Sequence, residues 1–186
     1  MTTDADAVRA VLRRYQALYR ARDAERLDEA MDLFAPGGEP EMVGTEAATR
    51  GDADWAVGRE AVRAITEWDW RFWGEVELDV DGTRVTVEGD AAWVTLAGAL
   101  VQSERAREGT REFVRHTSLR QLQAALADES RTLDQRLADV AHIAGARARD
   151  LQAPLGNRRA LTLTAALVRR DGVWLLHTTH WALSAE

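Results

Sequence analysis

The last thirty residues, Asn157 to Glu186, constrain this chain most. Leu161, Leu163, Ala165 and Leu167 alternate with Ala160, Thr162, Thr164 and Ala166, which is the period of a β-strand. Asp171-Gly172 supplies a two-residue hairpin turn, and a second strand closes the sequence as WLLHTTHWALS. More of the same sheet is expected upstream. Val76, Leu78 and Val80 alternate with Glu75, Glu77 and Asp79; Val85 and Val87 follow, then Ala92, Val94 and Leu96. The pairs Asp81-Gly82 and Gly89-Asp90 suit hairpin turns, giving a meander. A single bent strand with a bulge at Gly82 fits almost as well. The faces opposite these inward sets are not charged: one carries Trp93, Thr95, Ala97, Ala99 and Val101. A sheet apolar on both sides is covered on both sides. Helices can cover one side, and a second copy is the simplest cover for the other, which predicts a homodimer.

The helices lie before and within this sheet. Thr3, with Asp6 three residues on, reads as a capping box for a helix that turns Val8, Leu12, Tyr15 and Tyr19 to one side. Asp23 caps a second helix with Leu27, Ala30, Met31 and Phe34 inward, stopped by Pro36-Gly37-Gly38. Glu41 to Thr45 forms a short strand, and a polar loop follows through Gly51, Asp52 and Asp54. A third helix starts near Gly58 with Ala61, Val62, Ile65, Trp68 and Phe72 on one stripe. Residues 105–157 read as a helical insertion in a single domain spanning 1–186. There Leu119, Leu122, Leu126, Leu133, Leu137, Val140, Ala144 and Leu151 keep one phase, with Ser118 and Gln121 as a capping box. Unbroken, this is one helix of about 33 residues, roughly 50 Å long. Broken at Asp128-Glu129-Ser130, it is a helical hairpin; the phase favours continuity and compactness favours the break. It serves packing or oligomer contact, or acts as a lid.

Composition removes several chemistries. There is no cysteine, so no disulfide, thiol nucleophile or thiolate metal site. There is no lysine either, so no Schiff base and no Walker phosphate loop. A net charge of −7 with mixed signs argues against nucleic acid as a partner. No apolar run approaches the roughly 20 residues that span a bilayer, and MTTDADAV lacks the order of a signal peptide. A soluble cytoplasmic protein is expected, without membrane contact and with no metal ligand cluster or cofactor signature.

Three stretches resemble the SnoaL-like domains of the nuclear transport factor 2-like superfamily. In MVGTEAATRGDADWAVGREAV, Gly44, Thr45, Asp54, Trp55, Gly58 and Arg59 stand at the family's motif positions. Gly89, Asp90, Ala92, Trp93 and Val94 match a second motif. In LTLTAALVRRDGVWLLHTTHWALS, Gly172, Trp174, Leu176, His180 and Trp181 match a third. Thr178 replaces a usual histidine and Ala182 a usual serine, and the insertion lies outside the pattern. The resemblance implies an α+β cystatin-like cone: a curved antiparallel sheet wrapped on three N-terminal helices. That fold, which ketosteroid isomerases share, hosts isomerases, cyclases, dehydratases and non-catalytic binders alike.

Several residues suit chemistry in such a cone. His177 and His180 are three apart on a strand, so they share a metal only through a bulge. His180 shares a face with Trp174, Leu176 and Thr178, and is either a general base or a buried, hydrogen-bonded histidine. Asp69 falls on the apolar stripe of the third helix; buried there, its pKa would rise, which suits proton abstraction, while a helix ending near Trp68 would leave it in water. Tyr15 and Tyr19 sit mid-stripe on the first helix, where a hydroxyl can donate to a ligand oxygen. A tyrosine donor beside a carboxylate base is the arrangement ketosteroid isomerases use. Trp55, Trp68, Phe72 and Trp174 are the candidate walls for a flat hydrophobic small molecule, or else core and interface packing. Trp70 falls opposite the stripe and is expected at the surface or against a partner, and Arg59 in a structural salt bridge. The expected function is a small-molecule pocket, with cofactor-independent isomerisation, cyclisation or dehydration if catalytic. The alternative is a non-catalytic homodimeric binding module whose insertion docks a partner.

Overall fold

The computed structural model describes residues 3–36, 40–45, 47–51 and 54–184. Gly37, Gly38 and Asp52, expected in a helix stop and a loop, lie outside the described residues. The chain divides into two compact units. One comprises Met1–Trp70, Glu75–Val101 and Arg158–Glu186; the other comprises Arg71–Gly74 and Gln102–Asn157.

In the first unit, α1 spans Asp4–Ala21. The Thr3 hydroxyl accepts from the Asp6 backbone N–H, and the Asp6 carboxylate answers the Thr3 N–H, so two orphan donors of the first turn are satisfied. Val8, Leu12, Tyr15, Leu18 and Tyr19 form its buried face. The helix ends where Arg22 turns left-handed (φ 50°) and its N–H closes on the Leu18 carbonyl, 2.9 Å away. Asp23 caps a short 3₁₀ turn, Ala24–Arg26, which leads into α2, Leu27–Met31. The third helix, α3, spans Arg59–Phe72, and Val62, Ile65, Thr66, Asp69 and Trp70 are its buried positions. Spacings of three, one, three and one residues make that set one helical face. The phase therefore places Trp70 inside and leaves Trp68 40 % exposed, the reverse of the sequence expectation for both.

The sheet is curved, unclosed and mixed. Its strands are β1 (Glu41–Val43), β2 (Trp55–Val57), β3 (Glu75–Leu78), β4 (Val85–Glu88), β5 (Ala91–Val101), β6 (Arg158–Arg170) and β7 (Val173–Leu183). They run in the order β2-β1-β7-β6-β5-β3, with β4 also on β5. All pairs are antiparallel except β1 with β7. The strand β2, in a stretch expected to be loop, pairs Trp55 with Val43. The Asp171-Gly172 turn forms as expected, with positive φ at both residues (51° and 80°).

Of the two expectations for this stretch, the meander does not form and the single strand bent at Gly82 is the nearer one, while the Gly89-Asp90 hairpin forms as expected. β3 and β4 lie end to end along one edge of β5, β3 on Gly98–Val101 and β4 on Ala91–Val94. The segment at Asp81-Gly82 is a sideways jog. The Asp79 carboxylate holds the Gly82 N–H at 2.9 Å, and the Thr83 hydroxyl donates to the Thr95 carbonyl at 2.7 Å. These side-chain bonds hold the detour against β5, so the chain does not reverse there. Gly98 is required opposite β3, because a Cβ there would meet the Glu77 carbonyl oxygen at 2.3 Å.

A register shift between β6 and β7 has the largest consequence. Ala166 faces Thr178, but Leu167 faces Leu176, so His177 is an extra residue. Trp174 and Leu176 point inward before it; Thr179 and Trp181 point inward after it. His180 therefore lands on the outer, exposed face beside Thr164. The expectation that His180 shares a face with Trp174 and Leu176 fails because the bulge resets the two-residue period.

The second unit is helical. Ser103 caps α4, Glu104–Phe113, which continues through a π turn, Val114–Ser118, into α5, Leu119–Ala127. The chain breaks at Asp128, whose carboxylate accepts the Ser130 N–H at 3.0 Å, and α6 follows over Leu133–Gln152 with a Thr132/Gln135 capping box. The insertion is thus a hairpin, and Ser118 lies inside a continuous helical run instead of capping one. The leucine phase survives the break because α5 and α6 each present their own apolar side.

Candidate functional site

The inner face of the first unit is aromatic. Tyr15 packs edge-on to Tyr19 (ring centroids 4.9 Å apart) and to Phe34 (5.9 Å), and Trp181 lies 5.5 Å from Tyr19. Tyr19 also meets Trp70 edge-to-face at 6.1 Å. Edge-to-face geometry sets the positive ring edge against the negative π face, adding about 1 kcal/mol per pair to the area buried. Tyr15, Tyr19, Phe34 and Trp181 are all fully buried.

Into this hydrocarbon α3 delivers a carboxylate. Asp69 is 9 % exposed, and the Tyr19 hydroxyl donates to its Oδ2 at 3.0 Å. Burial pushes its pKa from 3.8 up to about 7. The Tyr19 hydrogen bond and the buried Arg22 cation pull it down, and the Asp54 carboxylate pushes it up. Arg22 Nη2 reaches the Asp69 main-chain carbonyl at 3.5 Å. Burial raises the pKa of both tyrosines, so they remain neutral donors. The Tyr15 hydroxyl, the Thr179 hydroxyl and Trp70 Nε1 are among the buried polar atoms here with no hydrogen bond of good geometry from the described residues. A group of this kind takes a proton near neutral pH and offers hydroxyl donors beside it.

Of the residues singled out in the sequence, Tyr15, Tyr19 and Asp69 converge here. The others do not. His180 is on the outer face. Trp55 stands on the same outer side of β2 as Val43 on β1, and its Nε1 donates to Glu41 Oε2 at 2.7 Å. Phe72 belongs to the second unit, where it packs on Phe113 at 5.6 Å beneath the Arg71 guanidinium. Trp68 is largely exposed. Trp174 is buried, but at the opposite end of α1: its Nε1 donates to Asp4 at 3.3 Å, about 22 Å along the helix from Tyr19. Arg59 makes its structural contacts, to the Met31 carbonyl at 2.8 Å and Asp32 at 3.2 Å. Thr179 and Trp70 were missed. No sequence signal marks the bulge that turns Thr179 inward; Trp70 was recoverable by taking Asp69 as the centre of the stripe. An open groove of about 570 Å³ lies elsewhere, between Arg20, Glu77, Asp79 and Arg158, and holds none of the candidates. Among the described residues no group of three His, Cys, Asp or Glu is placed to hold a metal.

Helices packed on a curved, unclosed sheet, with β1 running parallel to the last strand, match many solved structures. A candidate dehydratase of the nuclear transport factor 2-like family from Streptomyces avermitilis superposes with a TM-score of 0.59 at 13 % identity, covering 98 % of this chain and 97 % of that one. The chain has the nuclear transport factor 2-like fold. A cystatin-like protein of that type from Novosphingobium aromaticivorans gives 0.52 at 16 % identity, over 97 % of this chain and 81 % of the other. A candidate calcium/calmodulin-dependent kinase II association domain from Xanthomonas campestris gives 0.55 at 13 % identity, over 99 % and 90 %. A scan against family models finds no match, and neither does a search of curated proteins. Identities this low establish the nuclear transport factor 2-like architecture alone. Among the described residues, no helix is long and apolar enough to cross a membrane.

Proposed function

We propose that the chain is a SnoaL-like small-molecule protein that moves a proton without a cofactor, with Asp69 as base and Tyr19 and Tyr15 as hydrogen-bond donors. One observation carries the reading. Asp69 is a carboxylate buried among aromatic rings, and that burial pushes its pKa from 3.8 up to about 7. A core position has no structural need for such a group, since desolvating a carboxylate costs several kcal/mol. The ligand is a flat apolar metabolite with an enolisable carbonyl. Asp69, positioned by the Tyr19 hydroxyl, takes the α-proton and Tyr15 donates to the enolate oxygen. Asp69 then returns that proton to another carbon, or gives it to a departing β-hydroxyl, which leaves as water as the enolate collapses to the conjugated carbonyl. The dehydratase description of the Streptomyces neighbour agrees with that chemistry. The protein works as a homodimer through the outer sheet face, where Trp93 is 46 % exposed among Thr95, Ala97, Thr162 and Thr164.

The test is deuterium exchange. A panel of flat enolisable ketones is incubated in D2O with wild type and with Asp69→Asn, which keeps the shape and the Tyr19 contact. Wild type should exchange the α-proton of at least one member a hundredfold or more faster than the variant. Equal rates across the panel would remove the reading. A second reading, a non-catalytic dimeric binding module, is favoured by the complete burial of Tyr15, Phe34 and Trp181, which fill the interior. It predicts that no panel member raises the melting temperature of the wild type.

A further inference from the structure

The second unit contains an anomaly of its own. Among the described residues, not one of α5 or α6 is buried. Leu133 is 60 % exposed and Leu137 50 %. On α6 the exposed positions include Leu133, Leu137, Ala141, Ala144 and Ala148, spaced four, four, three and four apart. That spacing is one uncharged stripe along the helix, about 22 Å long. A surface helix normally puts charge there.

We propose that this stripe is a contact between two copies of the chain, in which α6 packs antiparallel on its twofold mate about Ala141. Three features point to a second copy in place of an unrelated partner. First, the stripe is self-complementary in size. Its first half holds leucines and its second half Ala144, Gly145 and Ala148. An antiparallel twofold sets Leu137 against Ala144 and Gly145, and Leu133 against Ala148. Small residues at these positions let helix axes approach to about 8 Å. Second, charge is complementary in the same arrangement. Asp134 comes beside Arg149 of the partner subunit, and neither has an ion pair among the described residues. The helix dipoles run opposed, which is favourable. Third, residues 119–152 hold five arginines and five acidic residues, a formal charge of zero on a chain at −7. Two such surfaces meet without the repulsion felt by the rest of the molecule, and they attract neither nucleic acid nor a strongly acidic or basic partner.

This contact is separate from the proposed sheet-face dimer. A chain with two isologous surfaces associates beyond a dimer. Seams of this length bury several hundred Å² per partner, toward the lower end for a specific interface, so the associated fraction rises with concentration over the working range.

The chain has no cysteine, so a single substitution supplies the only thiol. Under mild oxidation of the full chain, Ala141→Cys should form a covalent dimer at least tenfold faster than His142→Cys, which is exposed but about 100° around the helix. Leu137→Glu with Ala144→Glu, both at exposed positions, should halve the mass seen by light scattering with the helix content unchanged. Comparable cross-linking at the two cysteines, or a mass unaffected by the double substitution, overturns the proposal. Trp93→Glu separates this contact from the sheet-face dimer: the Ala141→Cys cross-link should persist in it.

Discussion

The inner face of the sheet and the α5–α6 hairpin are opposite solutions to the use of apolar residues. The first buries Tyr15, Tyr19, Phe34 and Trp181 so completely that a carboxylate is carried in with them. The second buries no residue of either helix among the described residues. In the first region the polar group is the exception that asks for a chemical reason. In the second the exposed leucines are the exception that asks for a partner. In both regions an unmet physical demand marks the place to test: the proposed acid–base group in one, the proposed contact in the other.

Substitutions should separate the two regions. Trp181→Ala removes a fully buried indole from the inner cluster and should cost about 3–5 kcal/mol in urea unfolding, by lost transfer energy and the cavity left behind. A cost below 1 kcal/mol would mean that the cluster is loosely packed.

The next effect depends on pH. Asp69 has a folded pKa raised from 3.8 to about 7, so the folded state holds a proton that the unfolded chain has already released. Its contribution to stability is fully present below the unfolded value and is lost as pH rises from about 4 through 7. Three pKa units correspond to about 4 kcal/mol. Asp69→Asn should flatten that part of the stability profile, and an unchanged slope would contradict the burial of the charge. The smallest effect is expected in the hairpin: Leu133→Ala should stay within about 0.5 kcal/mol for the dilute protein, because the side chain is already in water. A larger loss would show that the leucine is covered.

The fold was legible where a local period ran uninterrupted. The α1 stripe, its capping box and the Asp171-Gly172 hairpin all follow from short-range rules. Asp69 was legible because a carboxylate on an apolar stripe breaks the pattern that surrounds it. What failed has one physical cause, a change of phase that no single residue announces. The bulge at His177 turned His180 outward and brought Thr179 in. The jog held by Asp79 converted a hairpin signal into a bend. A stripe centred one residue off exchanged the places of Trp68 and Trp70. Trp55 and Trp174 lie away from Asp69 for a different reason: an aromatic residue signals packing, but neither the face nor the end of the sheet on which it packs.

The most direct test is a carbon-13 NMR titration of the Asp69 carboxyl in the folded protein and in Tyr19→Phe. The carboxyl should titrate with a midpoint of about 7 and move higher when the Tyr19 donor is removed. A midpoint near 4, unmoved by the substitution, would place Asp69 in water and end the case for an acid–base site.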